Sequence, residues 1–269
     1  MAPTKTTKKP AAKKTAAKPA PKSAPARMTL EATMRELEKA GTEQARKTYK
    51  RHGAQEPMFG VSFGTLKKLL DRIGVDHELA LALWDTKNHD ARVLAMKVAD
   101  PEKISPADLD RWAKGNSMLS CGAYVTALAA EGPHGPAKAK EWLASSDPKL
   151  RAAGWGLTGQ LASLDEKTPD DWFQKRLALI EKSIHTAPNE ERAAMNMALI
   201  GIGGRNAALR KAATAAAKRI GKVDVDHGDT ACKTPDAVPY IDRMWERSGK
   251  KFDSPAAAER ARESMRTRC

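Results

Sequence analysis

Ser62-Phe-Gly-Thr-Leu-Lys-Lys-Leu-Leu-Asp-Arg-Ile-Gly74 carries its apolar residues Leu66, Leu69, Leu70 and Ile73 at positions i, i+3, i+4 and i+7. That spacing gathers all four on one side of an α-helix, whereas a strand would split them between two faces. Ser62 supplies a side-chain acceptor for the first free N–H groups, and Gly74 suits the left-handed turn that ends a helix. The next helix is predicted from Asp76, with Leu79, Leu81, Leu83 and Trp84 as its apolar residues.

The same punctuation recurs along the chain. Ser105-Pro106, Asp147-Pro148, Thr168-Pro169 and Ser254-Pro255 each pair an N-cap residue with proline, which fits the first helical position because that N–H has no partner anyway. Asp108 and Asp171 then fall in first turns, where the helix dipole favours negative charge. Alternating apolar runs long enough for β-strands are missing, so the predicted class is all-α. Predicted helix pairs recur about every 35–45 residues, the spacing of HEAT or armadillo units. Stacking such pairs gives a solenoid with a concave surface; a compact helical bundle is the alternative architecture.

Charge divides the chain further. Seven lysines and Arg27 lie within residues 1–27 without one acidic residue, and supply eight of the net fourteen positive charges. This Lys/Ala/Pro-rich stretch has too few apolar groups to offset the entropy of ordering, and is expected to be a disordered basic tail attracted to nucleic acid, a solubilising or targeting extension being the alternative. Residues 28–240 are read as the repeat domain and 241–269 as a C-terminal helical extension. No run approaches the roughly 20 apolar residues of a membrane span, and no apolar core follows the basic start. Cys121, Cys232 and Cys269 form no CxxC pair. The expected setting is therefore a reducing cytoplasm, in association with the nucleoid (the nucleus in a eukaryote). No membrane partner and no cofactor are expected.

In the folded part, no acidic residue occurs between Glu191 and Asp224, while Arg192, Arg205, Arg210, Lys211, Lys218, Arg219 and Lys222 are all basic. Lys211, Lys218 and Lys222 share one helical face. Ordinary solvated faces mix signs, so the stretch is read as a phosphate-facing surface, with Gly201, Gly203 and Gly204 allowing a nucleic-acid backbone to come close. Arg46, Lys47, Lys50, Arg51 and His52 form a second basic patch. The block Asp224, Asp226, His227, Asp229 and Cys232 contains metal-ligand types, but its spacing fits no common zinc pattern. His227 and Cys232 stay weak candidates, a capping loop is the expected reading, and no metal is expected.

Several segments, taken in order, resemble the DNA alkylation repair family: Tyr49-Lys-Arg-His-Gly53, Phe59-Gly-Val61, Leu83-Trp84 with His89-Asp-Ala-Arg92, Lys138-Ala-Lys-Glu-Trp142, Arg151-Ala-Ala-Gly-Trp155, Met195 to Arg205, and Gly221 to Pro235. The resemblance runs from about residue 45 to residue 240. It implies a HEAT-like solenoid that holds DNA by its backbone on the concave face, with Arg92 and Arg151 at family positions and Arg151 associated with phosphate contact. Glycosylases of the family excise alkylated bases with an aspartate and tryptophans that stabilise a cationic transition state. Here the matching segment is Trp112-Ala-Lys-Gly-Asn-Ser-Met-Leu-Ser-Cys-Gly-Ala-Tyr124, with no acidic residue between Asp110 and Glu131. The aspartate position falls on Cys121 or Gly122, one tryptophan position near Ser117 and Met118, and another on Met197. A thiol is mostly neutral at pH 7 unless its pKa is depressed. The expectation is thus a noncatalytic, monomeric family member that binds double-stranded DNA, damaged duplexes included, through Arg51, Arg92, Arg151, Arg205, Arg210, Lys211, Lys218, Arg219 and Lys222. One alternative is a glycosylase with an altered site, in which Asp85, Asp90 or Asp110 supplies the charge. Another is a helical-repeat scaffold for protein partners.

Overall fold

The computed structural model describes residues 27–115, 119–249 and 251–262, the side chains of 119–122 excepted. The predicted tail, apart from Arg27, therefore lies outside the described residues, as do Ser117, Met118 and the side chain of Cys121. Among the described residues the regular structure is helical, and the one β feature is an isolated antiparallel bridge between Gly41 and Val61.

The N-terminal half contains α1 (Leu30–Ala40), α2 (Glu43–Arg51), α3 (Phe63–Ile73), α4 (His77–Asp85), α5 (His89–Val98), α6 (Pro106–Gly115) and α7 (Leu119–Glu131). The C-terminal half contains α8 (Gly135–Leu143), α9 (Pro148–Leu164), α10 (Asp170–Ser183), α11 (Asn189–Gly203), α12 (Ala207–Ile220), α13 (Ala237–Ser248) and α14 (Pro255–Arg260). The helices stack as a HEAT-like repeat array around one continuous apolar core. Leu66, Leu69 and Leu70 are buried in it, as their spacing requires, and Ile73 packs at its edge. Helix α9 is central, packing on α6, α7, α8, α11 and α14.

Most helix starts follow the sequence chemistry. Ser62, Asp76, Asp147 and Ser254 accept backbone N–H bonds as N-caps, and Ser105 accepts from the Asp108 N–H at 3.0 Å. Thr168-Pro169 differs. Pro169 itself is the N-cap of α10, and the Thr168 hydroxyl is turned back to the Asp165 carboxylate, so the helix starts one residue later than the dipeptide predicts.

The glycines of α11 also serve a different purpose from the one expected. A Cβ at Gly201 would lie 2.9 Å from the Gly159 carbonyl oxygen and 3.0 Å from its Cα, and Cβ atoms at Gly203 and Gly204 would strike Ile241 and Met244. They let α9 and α13 approach α11, and the backbone they admit is the protein's own.

Candidate functional site

The arginines of the body show a common habit. The Arg205 side chain is 9% exposed, pairs with Asp170 at 3.0 Å, and donates to the carbonyls of Leu161, Ala162, Asp165 and Thr168 at the end of α9. It lies 4.6 Å from the Phe173 ring centroid. Arg151 pairs with Glu191, which also accepts from the Trp155 indole, and donates to the carbonyls of Ser145 and Ser146 beyond α8. A guanidinium at a helix C-terminus satisfies carbonyls that have no partner within the helix. Its placement is a packing solution before it is a surface charge.

The basic stretch around α12 is acid-free in sequence but not in space. Arg210 pairs with Asp242 and covers Trp245, Arg219 makes two bonds to Glu181, and Lys222 reaches Asp224 at 2.6 Å. Lys211 and Lys218 remain exposed without an ion pair among the described residues. In the N-terminal patch, Arg46 and Lys50 both hold Glu56, whose carboxyl they push down to about 2, while Arg51 is exposed. In the 221–234 loop, His227 bonds the Thr234 hydroxyl and Cys232 is exposed. No group of metal-ligand side chains gathers there or elsewhere among the described residues.

A continuous cleft lies instead between the α4–α5 turn, the end of α6 and the start of α9. Its deeper part, about 270 Å³, is lined by Gln55, Trp84, His89, Arg92 and Lys149 among others; it opens into a shallower part that reaches Asp85 and Arg111. Lys87, Lys114 and Gly115 border both parts.

Local sequence shapes one wall of this cleft. Asn88 caps α5 through the Ala91 N–H, and Lys87 just before it has φ +60°, a left-handed conformation uncommon for a residue with a side chain. Arg92, in the first turn of α5, donates to the Trp84 and Gly115 carbonyls at 3.3 and 3.1 Å, bridging the ends of α4 and α6. Its guanidinium lies 4.6 Å from the Trp84 ring centroid, and Trp84 is stacked on Trp112 at 4.7 Å. Burial, followed by the charge of Arg111, holds the Arg92 pKa below its ordinary value. Lys87, Lys114 and Lys149 are exposed, and none has an ion pair among the described residues; Lys149 donates to the Lys114 carbonyl at 3.4 Å.

The carboxylates that line this cleft or adjoin its lining residues in sequence are engaged, Glu56 by Arg46 and Lys50. Asp90 is fully buried and accepts backbone N–H bonds from Phe59, Gly60 and Val61 at 2.7, 3.0 and 2.7 Å. Asp110 accepts from the Trp142 indole at 2.6 Å and pairs with buried Lys138. Asp85 pairs with Arg111. Thus Arg92 is the one predicted DNA-binding residue in the cleft, while Lys87, Lys114 and Lys149 were not singled out from sequence. The available hint was Lys114 within the family-like segment 112–124; Lys87, in the α4–α5 turn, and Lys149, in the first turn of α9, arrive through tertiary packing.

Repeat architecture and cleft together define a HEAT-like helical-repeat protein with a cationic groove at the end of α6. The chain belongs to the DNA alkylation repair family, whose model, described as DNA alkylation repair enzyme, matches residues 33–240. Its relatives include the uncharacterized protein Lmo0209 of Listeria monocytogenes, 28% identical over 211 residues, 75% of this chain and 91% of the relative. Lin0241 of Listeria innocua, also uncharacterized, is 27% identical over 210 residues, 75% of this chain and 90% of its own. A solved structure superposes with a TM-score of 0.74 at 29% identity, covering 85% of this chain and 98% of its own. It is described as representing a new family of proteins related to the HEAT-like repeat DNA glycosylases with affinity for branched DNA structures.

Proposed function

We propose that this protein binds branched DNA by its phosphate backbone, as a monomer associated with the nucleoid, and does not cleave the glycosidic bond. The observation that carries the reading is the imbalance around the cleft. Lys87, Arg92, Lys114 and Lys149 have no acidic partner there; the lining Glu56 is held by Arg46 and Lys50, and Asp85, Asp90 and Asp110 are each held by other groups. Unpaired cations gathered in one groove attract a polyanion. A glycosylase of the family type needs a carboxylate free to face the developing positive charge, and each of these three would first have to leave its partners. The affinity of the 29%-identical structural relative for branched DNA supports a branched target over a plain duplex.

Two measurements on the purified protein test this. Titration with a four-way junction and with a linear duplex of equal length is expected to give tighter, salt-sensitive binding to the junction. Incubation with DNA carrying alkylated purines is expected to release no base, with the Cys121→Asp variant assayed alongside. Base release by the unchanged protein, or equal affinity for both DNAs, overturns the reading.

A further inference from the structure

We propose that the flank of α10 carrying Trp172, Arg176 and Leu179 docks an acidic segment of a protein partner, with a carboxylate of that segment on Arg176 and an apolar side chain against Leu179. The flank shares no residue with the cleft.

Three helices carry a cation and a tryptophan four residues apart, a spacing that sets the two side chains on one face. On α8 these are Lys138 and Trp142. Asp110 of α6 joins them, 2.8 Å from the Lys138 ammonium and 2.6 Å from the indole nitrogen. On α9 they are Arg151 and Trp155, and Glu191 of α11 joins them at 3.1 and 3.3 Å. On α10 they are Trp172 and Arg176, with the guanidinium 4.4 Å from the ring centroid. No carboxylate completes this third pair. Among the described residues Arg176 makes no ion pair or hydrogen bond, and its Nε and the Trp172 indole nitrogen are buried without an acceptor. Burial alone holds the Arg176 pKa below its ordinary value, with no carboxylate opposing it. A half-buried cation in this state favours an acidic group from outside.

The rest of the flank specifies what else the partner carries. Phe173, Leu177 and Ile180 turn into the core and Glu181 holds Arg219 of α12, so Trp172, Arg176 and Leu179, at i, i+4 and i+7, line a different side. Leu179 is 47% exposed. One turn on, Lys182 is exposed and has no ion pair among the described residues. An apolar side chain between cations fits a segment that mixes acidic and apolar residues. Its anchor, a guanidinium stacked on an indole, combines two residue types enriched where binding energy concentrates. Other occupants carry the wrong charge. Residues 1–26 contain no acidic residue, residues 263–269 set Glu263 against Arg266 and Arg268, and a second copy brings the same net charge of +14.

The test follows three labelled peptides of equal length on the full chain by fluorescence anisotropy. One carries glutamates and leucines at helical spacing; in the second every glutamate is glutamine, and in the third every leucine is serine. The first is expected to bind, and the other two at least about tenfold more weakly. Arg176→Gln and Leu179→Ser are each expected to weaken the first peptide about tenfold while leaving affinity for a four-way junction unchanged. Lys87→Gln/Lys149→Gln is expected to do the reverse. Thermal melts check each fold, and Leu179→Ser, at an exposed position, keeps the test open should Arg176→Gln unfold.

Failure of the first peptide to bind, equal binding of the glutamine peptide, or unchanged affinity in folded Arg176→Gln overturns the proposal. So does displacement of the peptide by linear duplex at the peptide's own concentration, which makes the flank a nucleic-acid surface. A dimer that Arg176→Gln dissociates in sedimentation equilibrium overturns it in favour of a second copy. Peptide affinity that rises about tenfold on deletion of residues 263–269 overturns it in favour of the chain's own segment.

Discussion

The Arg205 guanidinium, largely buried, sits among four backbone carbonyls and Asp170. Arg205→Ala is therefore expected to destabilise the protein by roughly 2–4 kcal/mol, as charged hydrogen bonds are lost and buried acceptors left unpaired. A urea titration measures this, and unchanged stability would return Arg205 to the surface. Gly201→Ala forces a methyl group against the Gly159 backbone, for an expected loss of about 1–3 kcal/mol. Gly64→Ala in α3 meets nothing within 4 Å and should be neutral or gain up to about 1 kcal/mol; thermal melts of the pair should move in opposite directions or differ sharply. His89 sets a pH dependence. Burial first, opposed by the charge of Asp90 and assisted by that of Arg92, holds its pKa below the ordinary 6.5. The unfolded chain then takes up this proton before the folded one does. Stability is full above about pH 6.5 and declines as pH falls from there toward the folded value. In His89→Gln the fall in melting temperature between pH 7 and pH 5 should become shallower.

Individual helices explain why some sequence signals were readable and others misleading. Caps are local chemistry, so Ser62, Asp76, Asp147 and Ser254 could be placed from neighbouring residues alone. Asn206 belongs to the same class: it caps α12 through the Leu209 N–H and reaches Asp170 with its amide. Asn206→Ala should lower stability by about 1–2 kcal/mol, read from the midpoint of chemical unfolding. Charge pairing is not local. Helix α12 looks unopposed because its acidic partners, Glu181 and Asp242, stand on α10 and α13, more than 30 residues away. Similarly, the close approach permitted by Gly201 needs Gly159, 42 positions earlier, to become visible. The cleft was the least legible feature, since Lys87, Lys114 and Lys149 come from three separate turns. Only Arg92, flagged by its family-like context, was anticipated there.

For the molecule as a whole, the basic residues 1–26 and the described body are expected to contribute separately to DNA affinity. Deleting residues 1–26 should lower DNA affinity and the salt slope while leaving the thermal midpoint of the body unchanged, because Arg27 and its pairs with Asp76 and Glu78 are retained. A shift in that midpoint would show that the basic stretch packs on the repeats. Across the body, cation–carboxylate links join consecutive parts of the array: Glu36 to Arg72, Asp110 to Lys138, Arg151 to Glu191, Asp170 to Arg205, Glu181 to Arg219 and Arg210 to Asp242. Each link spans roughly one repeat length, and each uses different residues. Arrays of interchangeable modules can lengthen or shorten by duplication or loss of a module. In this one an added or missing module would leave partners of such pairs unmatched at the junction it disturbs. The array is in that sense keyed end to end: each of these pairs is split between two parts of the chain, so no single part carries its own partner.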